Sequence, residues 1–313
     1  MARRFLVVGA GAIGGVVGGR LHQAGHDVVL VARGAHLQAI RADGLRLRSP
    51  AGDAVLRIPS AADVAEAAPR EGDVVLLCVK GQDTVAVLDE LAAVAPSTLP
   101  VACLQNGVAN EPAALRRFAD VYGVTVMQPA THLEPGVVLQ WSAPIPGLLD
   151  VGRWPGGLDD TARELSSVFA SAGFDSRAVE DVARWKYAKL VMNLGNAADA
   201  AYGSGGQELA AAARAEGREV LRVAGIDVAS PEEDAARRGR LMTIGHIEGA
   251  TRGGSSTWQS LARGAPLEID VLNGEIIMLG RLHGVPTPLN EALQRTAREM
   301  AAAGESPGSR QPA

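Results

Sequence analysis

Short, continuous apolar runs alternate with helical patterns along the first half of the chain. The apolar runs cover residues 4–9, 27–32, 73–79, 99–104 and 121–127, and none of them alternates strictly between apolar and polar positions. Helical patterns lie between them at residues 12–23, 34–42, 83–94 and 111–118. Continuous apolar strands are typical of a parallel sheet that is covered on both faces. The alternation therefore predicts an α/β domain with a doubly wound parallel sheet.

The pattern changes in the second half of the chain. Residues 131–158 contain repeated Gly and Pro, and we expect antiparallel strands and turns there that close the first domain. Helical patterns then follow at residues 159–172, 179–201, 206–224, 231–249 and 267–283. We therefore predict a first domain over residues 1–177, an all-α domain over 178–303 and a flexible, polar tail over 304–313.

Composition narrows the possible functions. A chain of 313 residues suits two domains, and a net charge of −5 disfavours a general nucleic-acid or anionic-membrane binder. Cys78 and Cys103 lie inside apolar runs, so they predict neither a disulfide scaffold nor a metal site. The N-terminal apolar run ends at Arg20, too early for a membrane span. We expect a cytoplasmic protein without a nucleic-acid or membrane partner.

A glycine-rich loop follows the first predicted strand and opens the first predicted helix. Its sequence is Gly9-Ala10-Gly11-Ala12-Ile13-Gly14. In a dinucleotide-binding loop of this form the first glycine permits the tight turn and the second lets the backbone approach a pyrophosphate. The third allows the helix to pack closely on the strand. Because strand, loop, helix and second strand occur in order, we expect Gly9, Gly11, Ala12, Ile13 and Gly14 to bind a cofactor rather than serve packing alone.

The end of the second strand indicates which cofactor binds. An NAD-specific domain usually carries an acidic residue there, which binds the ribose hydroxyls. This chain reads VVLVAR and has Arg33 at that place. A guanidinium can bind a 2′-phosphate bidentately, so Arg33 predicts NADPH, although a solvated loop arginine is the alternative.

Two polar side chains follow two other predicted strands. Lys80 comes after VVLLCV, and Asn106 comes after VACLQ. Ligands of open α/β sheets bind at the carboxyl ends of the strands. The two residues therefore predict a shared crevice.

One helical stretch of the second half carries a polar stripe. Lys186, Lys189, Asn193 and Asn196 are three, four and three residues apart, which predicts that they share one helix face. A polar stripe on a largely buried helix needs a ligand, water or polar side chains as partners. A structural polar network would satisfy it, and so would a lysine that donates a proton to a substrate positioned by the amides. The spacing does not choose between the two lysines.

These motifs together resemble the ketopantoate reductase (2-dehydropantoate 2-reductase) family. The likeness extends to about Asn290 and is carried by GAGAIG at 9–14, Arg33, Val79-Lys80, Asn106-Gly107, Lys189-Leu190-x-x-Asn193, Ser255-Ser256 and Glu268-Ile269-Asp270. The resemblance implies an N-terminal Rossmann domain, a C-terminal helical domain like that of 6-phosphogluconate dehydrogenase, and an active site in the cleft between them. It is compatible with a homodimer.

The resemblance also implies an activity and residue roles. The activity is NADPH-dependent reduction of 2-dehydropantoate to pantoate, a step in pantothenate biosynthesis. Lys189 would protonate the ketone oxygen. Glu268 would orient the Lys189 side chain and contact both substrate and cofactor. Asn193, Asn196 and Ser256 would bind the substrate. Lys80 and Asn106 would contact the cofactor and the substrate.

Two features depart from the family pattern. The second asparagine follows Asn193 by three residues rather than four, and Asp199 introduces an acid nearby. Both changes affect substrate recognition, so a reductase of another 2-oxo acid and a 3-hydroxy-acid dehydrogenase are alternatives. An NADPH-binding sensor without turnover is a third, which the retained Lys189, Asn193 and Glu268 disfavour.

Overall fold

The computed structural model describes residues 3–312 and divides the chain into two compact units. Unit 1 consists of the chain up to Gln105, Asn110–Ala183 and Ala235–Thr251, whereas unit 2 consists of Asn106–Ala109, Arg184–Asp234 and the chain from Arg252 onward. Each unit is thus built from several stretches of chain, whereas the sequence pattern places a single boundary at residue 177. No helix within residues 3–312 is both long and apolar enough to cross a membrane.

The strands and helices predicted for the first half all form and follow one another in the predicted order. Three further strands within residues 45–61, which the sequence pattern does not predict, lie between the second helix and the strand that follows it. The strands are β1 Arg4–Val8, β2 Asp27–Val31, β3 Leu45–Ser49, β4 Gly52–Leu56, β5 Ser60–Ala61, β6 Val74–Leu77, β7 Val101–Cys103, β8 Val121–Met127, β9 Ala130–Thr131, β10 Val137–Gln140, β11 Ser142–Pro144, β12 Leu148–Arg153 and β13 Met242–Ile244. The helices are α1 Ala12–Gln23, α2 Gly34–Asp43, α3 Thr84–Val94, α4 Asn110–Leu115, α5 Asp160–Ser171, α6 Val182–Asn193, α7 Asn196–Tyr202, α8 Gln207–Val223, α9 Pro231–Arg238, α10 Ser256–Ala262, α11 Asn273–His283 and α12 Pro288–Ala303.

A seven-stranded sheet forms the centre of unit 1, in the order β12-β8-β7-β6-β1-β2-β5. Neighbouring strands are parallel except β12, which runs antiparallel to β8. All seven residues of β8 are buried, and so are all four of β6. Burial on both faces explains why these strands read as continuous apolar runs. The predicted parallel α/β domain is confirmed.

Two smaller sheets complete unit 1, and one of them corrects a prediction. They have the orders β4-β3-β10-β9 and β11-β13. The helix expected over 231–249 ends at Arg238, because Gly239 takes a φ of +47° and its N–H bonds to the carbonyl of Ala235. The chain then forms β13, which pairs antiparallel with β11. This strand is three residues long and lacks an apolar pattern of its own, so the sequence does not reveal it.

A buried ion cluster fixes this returning segment on unit 1. The Arg237 guanidinium donates to Asp150 and to Asp175, each at 2.6 Å, and its side chain is 6% exposed. Removing one partner of such a cluster leaves a buried charge uncompensated, which costs about 3–5 kcal/mol. The cluster therefore specifies where residues 235–251 attach.

Unit 2 is helical, and α7 lies among its helices. Four alanines of α7 are buried, and the helix packs against α8, α10 and α12. Small side chains let the backbones approach closely. At Gly206, for example, an added Cβ would lie 2.6 Å from the carbonyl oxygen of Ala198.

A buried polar network joins three helices of unit 2 to the end of α6. Glu216 on α8 accepts the backbone N–H groups of Leu289 and Asn290 at the start of α12, at 3.0 and 2.9 Å. Asn273 on α11 donates to Asn290 and to the carbonyl of Leu194. Because buried amides and carbonyls need partners, this network fixes the chain immediately after α6.

Candidate active site

The glycine-rich loop joins β1 to α1, and its three motif glycines differ in their surroundings. Gly9 has a φ of +101°, and an added Cβ there would lie 2.7 Å from the backbone nitrogen of Val79. At Gly14 an added Cβ would lie 2.1 Å from the carbonyl oxygen of Gly9. At Gly11 it would meet nothing within 4 Å. Gly9 thus makes the turn, Gly14 permits close packing, and Gly11 leaves open space in front of the backbone.

The first turn of α1 fits the pyrophosphate of a dinucleotide. Gly11 is its N-cap, and within the described chain no side chain caps this end and no acidic residue lies in the first turn. The first N–H groups of a helix have no acceptor inside the helix, and the helix dipole favours negative charge there. Ala12 and Ile13 are half-exposed at this end. The N–H groups of this first turn can therefore donate to an anion, and the space beside Gly11 can accommodate it.

Arg33 stands at the end of β2 as the N-cap of α2. Its side chain is 62% exposed and forms an ion pair of 2.9 Å with Glu90 on α3. The position that would carry an acid in an NAD-specific domain thus carries an accessible guanidinium whose present partner is a carboxylate. A 2′-phosphate would compete with Glu90 for it.

Polar contacts gather at the ends of β6 and β7. Gln105 donates to the carbonyl oxygen of Val79 and to the hydroxyl of Thr84, both at 2.8 Å. Thr84 in turn donates to Asn110. Since Val79 also lies against Gly9, the half-buried Lys80 follows a turn that touches the glycine-rich loop. The backbone of Lys80 thus lies one residue from the contact with the glycine-rich loop. The crevice shared by Lys80 and Asn106 stays a prediction.

In unit 2, two of the predicted side chains meet directly. The Asn193 amide donates to Asn106 Oδ1 at 3.2 Å, and Asn193 is 5% exposed. Gly107 adopts a φ of +79°, and an added Cβ there would lie 2.8 Å from the carbonyl oxygen of Val271. The Asn106 loop therefore packs against the 3₁₀ turn that Glu268 precedes, and Glu268 is itself buried.

The polar stripe of four residues is not continuous, which corrects the prediction. Helix α6 ends at Asn193 and α7 begins at Asn196, so the four residues do not share one helix face. Gly195 lies at the break, where an added Cβ would be 2.9 Å from Ala210 Cβ and 2.4 Å from the end of the Arg214 side chain. Arg214 Nε donates to the carbonyl of Met192 at 3.2 Å and so caps the end of α6.

The break places Asn196 and Asp199 against the segment that leads into α10. Asn196 donates to the hydroxyl of Ser256 at 3.4 Å, and Ser255 donates its hydroxyl to the Asn196 carbonyl at 3.3 Å. Asp199 Oδ2 accepts the backbone N–H of Ser255 at 2.8 Å. The additional acid is therefore bound to the backbone. It holds the turn that carries Ser256.

The two lysines of α6 differ in accessibility. Lys186 is 2% exposed, whereas Lys189 is partly exposed. Lys189 and Asn193 are four residues apart within α6 and so share a face of that helix. Asp270, two residues after Glu268, forms a surface ion pair of 2.7 Å with Arg298.

Sequence reasoning misses three residues that bear on these sites. Glu90 and Arg214 approach Arg33 and Gly195 only after folding, and nothing in the local sequence indicates it. His36, three residues after Arg33, has its Nε2 2.8 Å from the carbonyl oxygen of Ala10 in the glycine-rich loop. Its signal is a lone histidine on a helix, which predicts nothing by itself. His132 Nδ1 lies 3.0 Å from the carbonyl oxygen of Val137.

Family comparisons match both halves of the chain. A family model described as "Ketopantoate reductase PanE/ApbA" matches residues 5–156. A second model, described as "Ketopantoate reductase PanE/ApbA C terminal", matches residues 181–301. The Lys189–Asn193 segment, Ser256 and Glu268 all fall within the second match.

Individual proteins show the same likeness over almost the whole chain. The 2-dehydropantoate 2-reductase of Archaeoglobus fulgidus is 30% identical over 306 residues, covering 95% of this chain and 97% of that protein. The enzyme of the same name from Pyrococcus horikoshii is 29% identical over 299 residues, covering 92% and 94%. The crystal structure of a PanE/ApbA family ketopantoate reductase from Ralstonia eutropha has a TM-score of 0.80 at 30% identity, covering 96% of this chain and 99% of that one.

Proposed function

The chain belongs to the ketopantoate reductase family. We propose that it uses NADPH to reduce a 2-oxo acid to the corresponding 2-hydroxy acid, and that its preferred substrate is 2-dehydropantoate. The observation that carries the proposal is the contact between the Asn193 amide and Asn106. Asn193 lies on α6, the helix that also carries Lys189. The residues proposed as the proton donor and as amide ligands of a substrate oxygen all lie in unit 2. A dinucleotide loop stands in unit 1.

NADPH fits the residues of unit 1. Gly11 and the first turn of α1 would bind its pyrophosphate, and Lys80 lies beside the same loop. Arg33 would exchange Glu90 for the 2′-phosphate, a dianion that forms stronger charge-assisted hydrogen bonds with a guanidinium. When bound, the cofactor supplies a hydride to the carbonyl carbon of the substrate.

Lys189 is the proposed general acid. Addition of a hydride to the carbonyl carbon moves an electron pair onto the oxygen. The Lys189 ammonium donates a proton to that oxygen, which yields the hydroxyl, and the amine takes a new proton from solvent. A positioned acid typically contributes about 10²–10⁴-fold to the rate. Glu268, a buried carboxylate, is proposed to orient this ammonium and to contact substrate and cofactor.

The remaining polar side chains of unit 2 are proposed to bind the substrate. The Ser256 hydroxyl and the Asn196 amide, 3.4 Å apart, would bind the carboxylate. Asn193 and Asn106 would bind a second polar group, for which the hydroxyl of 2-dehydropantoate is suitable. Both pairs offer donors that fit oxygen acceptors.

A different 2-oxo acid is the second candidate substrate. The observation that favours it is the break at Leu194–Gly195, which lies in the segment where the two asparagines are three rather than four residues apart. Asp199 further ties this segment to Ser255. A substrate pocket built this way can differ in shape while cofactor use and ketone reduction stay the same.

Steady-state oxidation of NADPH by purified protein tests the proposal. The panel contains 2-dehydropantoate, a small alkyl 2-oxo acid, a branched one and an aromatic one, each with NADPH and with NADH. We expect the highest kcat/KM for 2-dehydropantoate with NADPH. A higher value for another acid would identify the second candidate, and absence of turnover with every acid would contradict the proposed reaction.

A further inference from the structure

His36 connects the glycine-rich loop to a different part of unit 1. Its Nε2 lies 2.8 Å from the carbonyl oxygen of Ala10, and its Nδ1 accepts the backbone N–H of Gly136 at 2.8 Å. Gly136 directly precedes β10, and its own carbonyl accepts the N–H of Arg46 on β3, also at 2.8 Å. The imidazole thus joins the loop after β1 to the four-stranded sheet.

These two contacts define the form of the imidazole. A backbone N–H can only donate and a carbonyl oxygen can only accept, so Nδ1 must be the bare nitrogen and Nε2 must carry the hydrogen. The ring is therefore neutral. Burial lowers the pKa of His36 below its ordinary value, which outweighs the opposite effect of the Ala10 contact and favours this neutral form. The ring of His132 lies at a centroid distance of 4.1 Å and packs against it.

The Ala10 peptide determines how the loop presents its donors. The N–H groups of Gly9 and Ala10 both donate to the carbonyl of Val31, at 3.0 and 3.1 Å. The carbonyl of Ala10 points to His36, and in a trans peptide the N–H of Gly11 must point the opposite way. His36 therefore fixes the orientation of the donor that precedes the first turn of α1.

Gly15 supports the same interpretation. An added Cβ at Gly15 would lie 2.9 Å from the carbonyl oxygen of Ala10 and 2.7 Å from a methyl group of Val138. A side chain there would crowd the oxygen that His36 binds. The second glycine of the Gly14-Gly15 pair thus leaves the approach to this carbonyl open.

We propose that His36 is a positioning residue for the cofactor: its Nε2–H holds the Ala10 peptide so that the Gly11 N–H and the first turn of α1 face the pyrophosphate of NADPH. The inference rests on the proposed cofactor of this chain. It assigns to α2 two functions, since Arg33 at its N-cap would bind the 2′-phosphate while His36, three residues later, orients the loop for the pyrophosphate.

Two amide variants separate the two hydrogen bonds of the imidazole. In H36Q the amide nitrogen reaches the place of Nε2 and can donate to Ala10. In H36N the amide oxygen can take the place of Nδ1 and accept from Gly136, but nothing reaches Ala10. We expect the Kd of NADPH, measured by cofactor fluorescence, to rise about fivefold in H36N, the equivalent of one hydrogen bond, and to stay within about twofold in H36Q.

Controls distinguish positioning from a general loss of stability. H26N breaks a histidine contact of 2.8 Å with Ser171, elsewhere in unit 1, and should leave the Kd of NADPH unchanged. An H36N protein with wild-type affinity would overturn the inference. So would equal weakening of NADPH binding in H36N and H36Q.

A measurement on the wild-type protein keeps the inference testable if H36N does not fold. Nitrogen-15 spectra of the histidine rings should show the neutral Nε2–H form of His36 and a shift of its signal on addition of NADPH. An unchanged His36 signal on a saturated protein would overturn the inference. A wild-type protein that binds neither NADPH nor NADH would instead contradict the proposed cofactor, a result distinguishable from both.

Discussion

The glycine-rich loop of unit 1 and the asparagine side chains of unit 2 are built in different ways. In the loop, a side chain at Gly9 or Gly14 would collide with neighbouring backbone, whereas Gly11 leaves open space. In unit 2, the positions of Asn193 and Asn196 depend on where α6 ends and α7 begins. The loop is therefore indicated by its own sequence, whereas the positions of the two asparagines depend on the packing of α8 against the break at Gly195.

This difference also divides the proposed roles, with cofactor binding assigned to unit 1 and proton donation and substrate binding assigned to unit 2. In the proposed function, cofactor affinity depends on unit 1, where the glycine-rich motif and Arg33 are recognisable in the sequence. The proposed proton donor and substrate-binding side chains lie in unit 2, where a break of two residues separates Asn193 from Asn196. Substitutions in the two regions should accordingly affect different kinetic constants.

The largest expected effect concerns Lys189. We expect K189M to lower kcat by about 10²–10⁴-fold because it removes the proton donor, while the Kd of NADPH changes little. K189R is the matched control, since its guanidinium keeps the positive charge but does not release a proton. A kcat of K189R close to that of the wild type would contradict the assignment of Lys189 as general acid.

A second effect should appear at Arg33 and affect only the phosphorylated cofactor. We expect R33Q to raise the KM for NADPH about 10–100-fold and to leave that for NADH almost unchanged, because a charge-assisted contact to the 2′-phosphate is lost. E90Q removes the carboxylate that competes for Arg33 and should lower the KM for NADPH about twofold. Equal effects of R33Q on both cofactors would contradict a 2′-phosphate site.

Two alanine variants of the loop should separate affinity from stability. In G11A the added Cβ meets nothing within 4 Å, so the free energy of unfolding should fall by no more than about 1 kcal/mol, the usual difference between glycine and alanine at an N-cap. The Kd of NADPH should rise about tenfold because the pyrophosphate loses its close approach. In G14A the added Cβ would lie 2.1 Å from a carbonyl oxygen, and we expect a loss of about 1–3 kcal/mol or more. Urea unfolding and cofactor titration measure the two quantities. A G11A protein destabilised more strongly than G14A would contradict the open space at that position.

The smallest effect is expected at Asp199. We expect D199A to raise the KM for the 2-oxo acid about fivefold, because the turn that carries Ser256 loses its bond to the Ser255 N–H. The amide oxygen of D199N can still accept that N–H, so its KM should stay within about twofold. A large fall in KM for D199N would show instead that the negative charge itself opposes the substrate carboxylate.

Sequence patterns predict most of unit 1 and less of unit 2. The central strands of the parallel sheet are largely apolar because both faces are buried, so their runs are recognisable without a partner. The break at Gly195 depends on Ala210 and Arg214, which lie in α8, and β13 exists only because β11 offers an edge for pairing. Long-range contacts of this kind leave no local pattern. For the same reason the contacts of His36 and Glu90 become evident only in the folded chain.

The most direct test of the proposed reaction follows the transferred hydrogen. The protein is supplied with NADPH deuterated at the hydride that is transferred, together with the 2-oxo acid that it turns over fastest, and the product is analysed by mass spectrometry and NMR. The proposed reaction predicts one deuterium on C2 of the 2-hydroxy acid, and K189M should form the same product more slowly. Product without deuterium at C2, or tight NADPH binding without transfer to any 2-oxo acid, would contradict it.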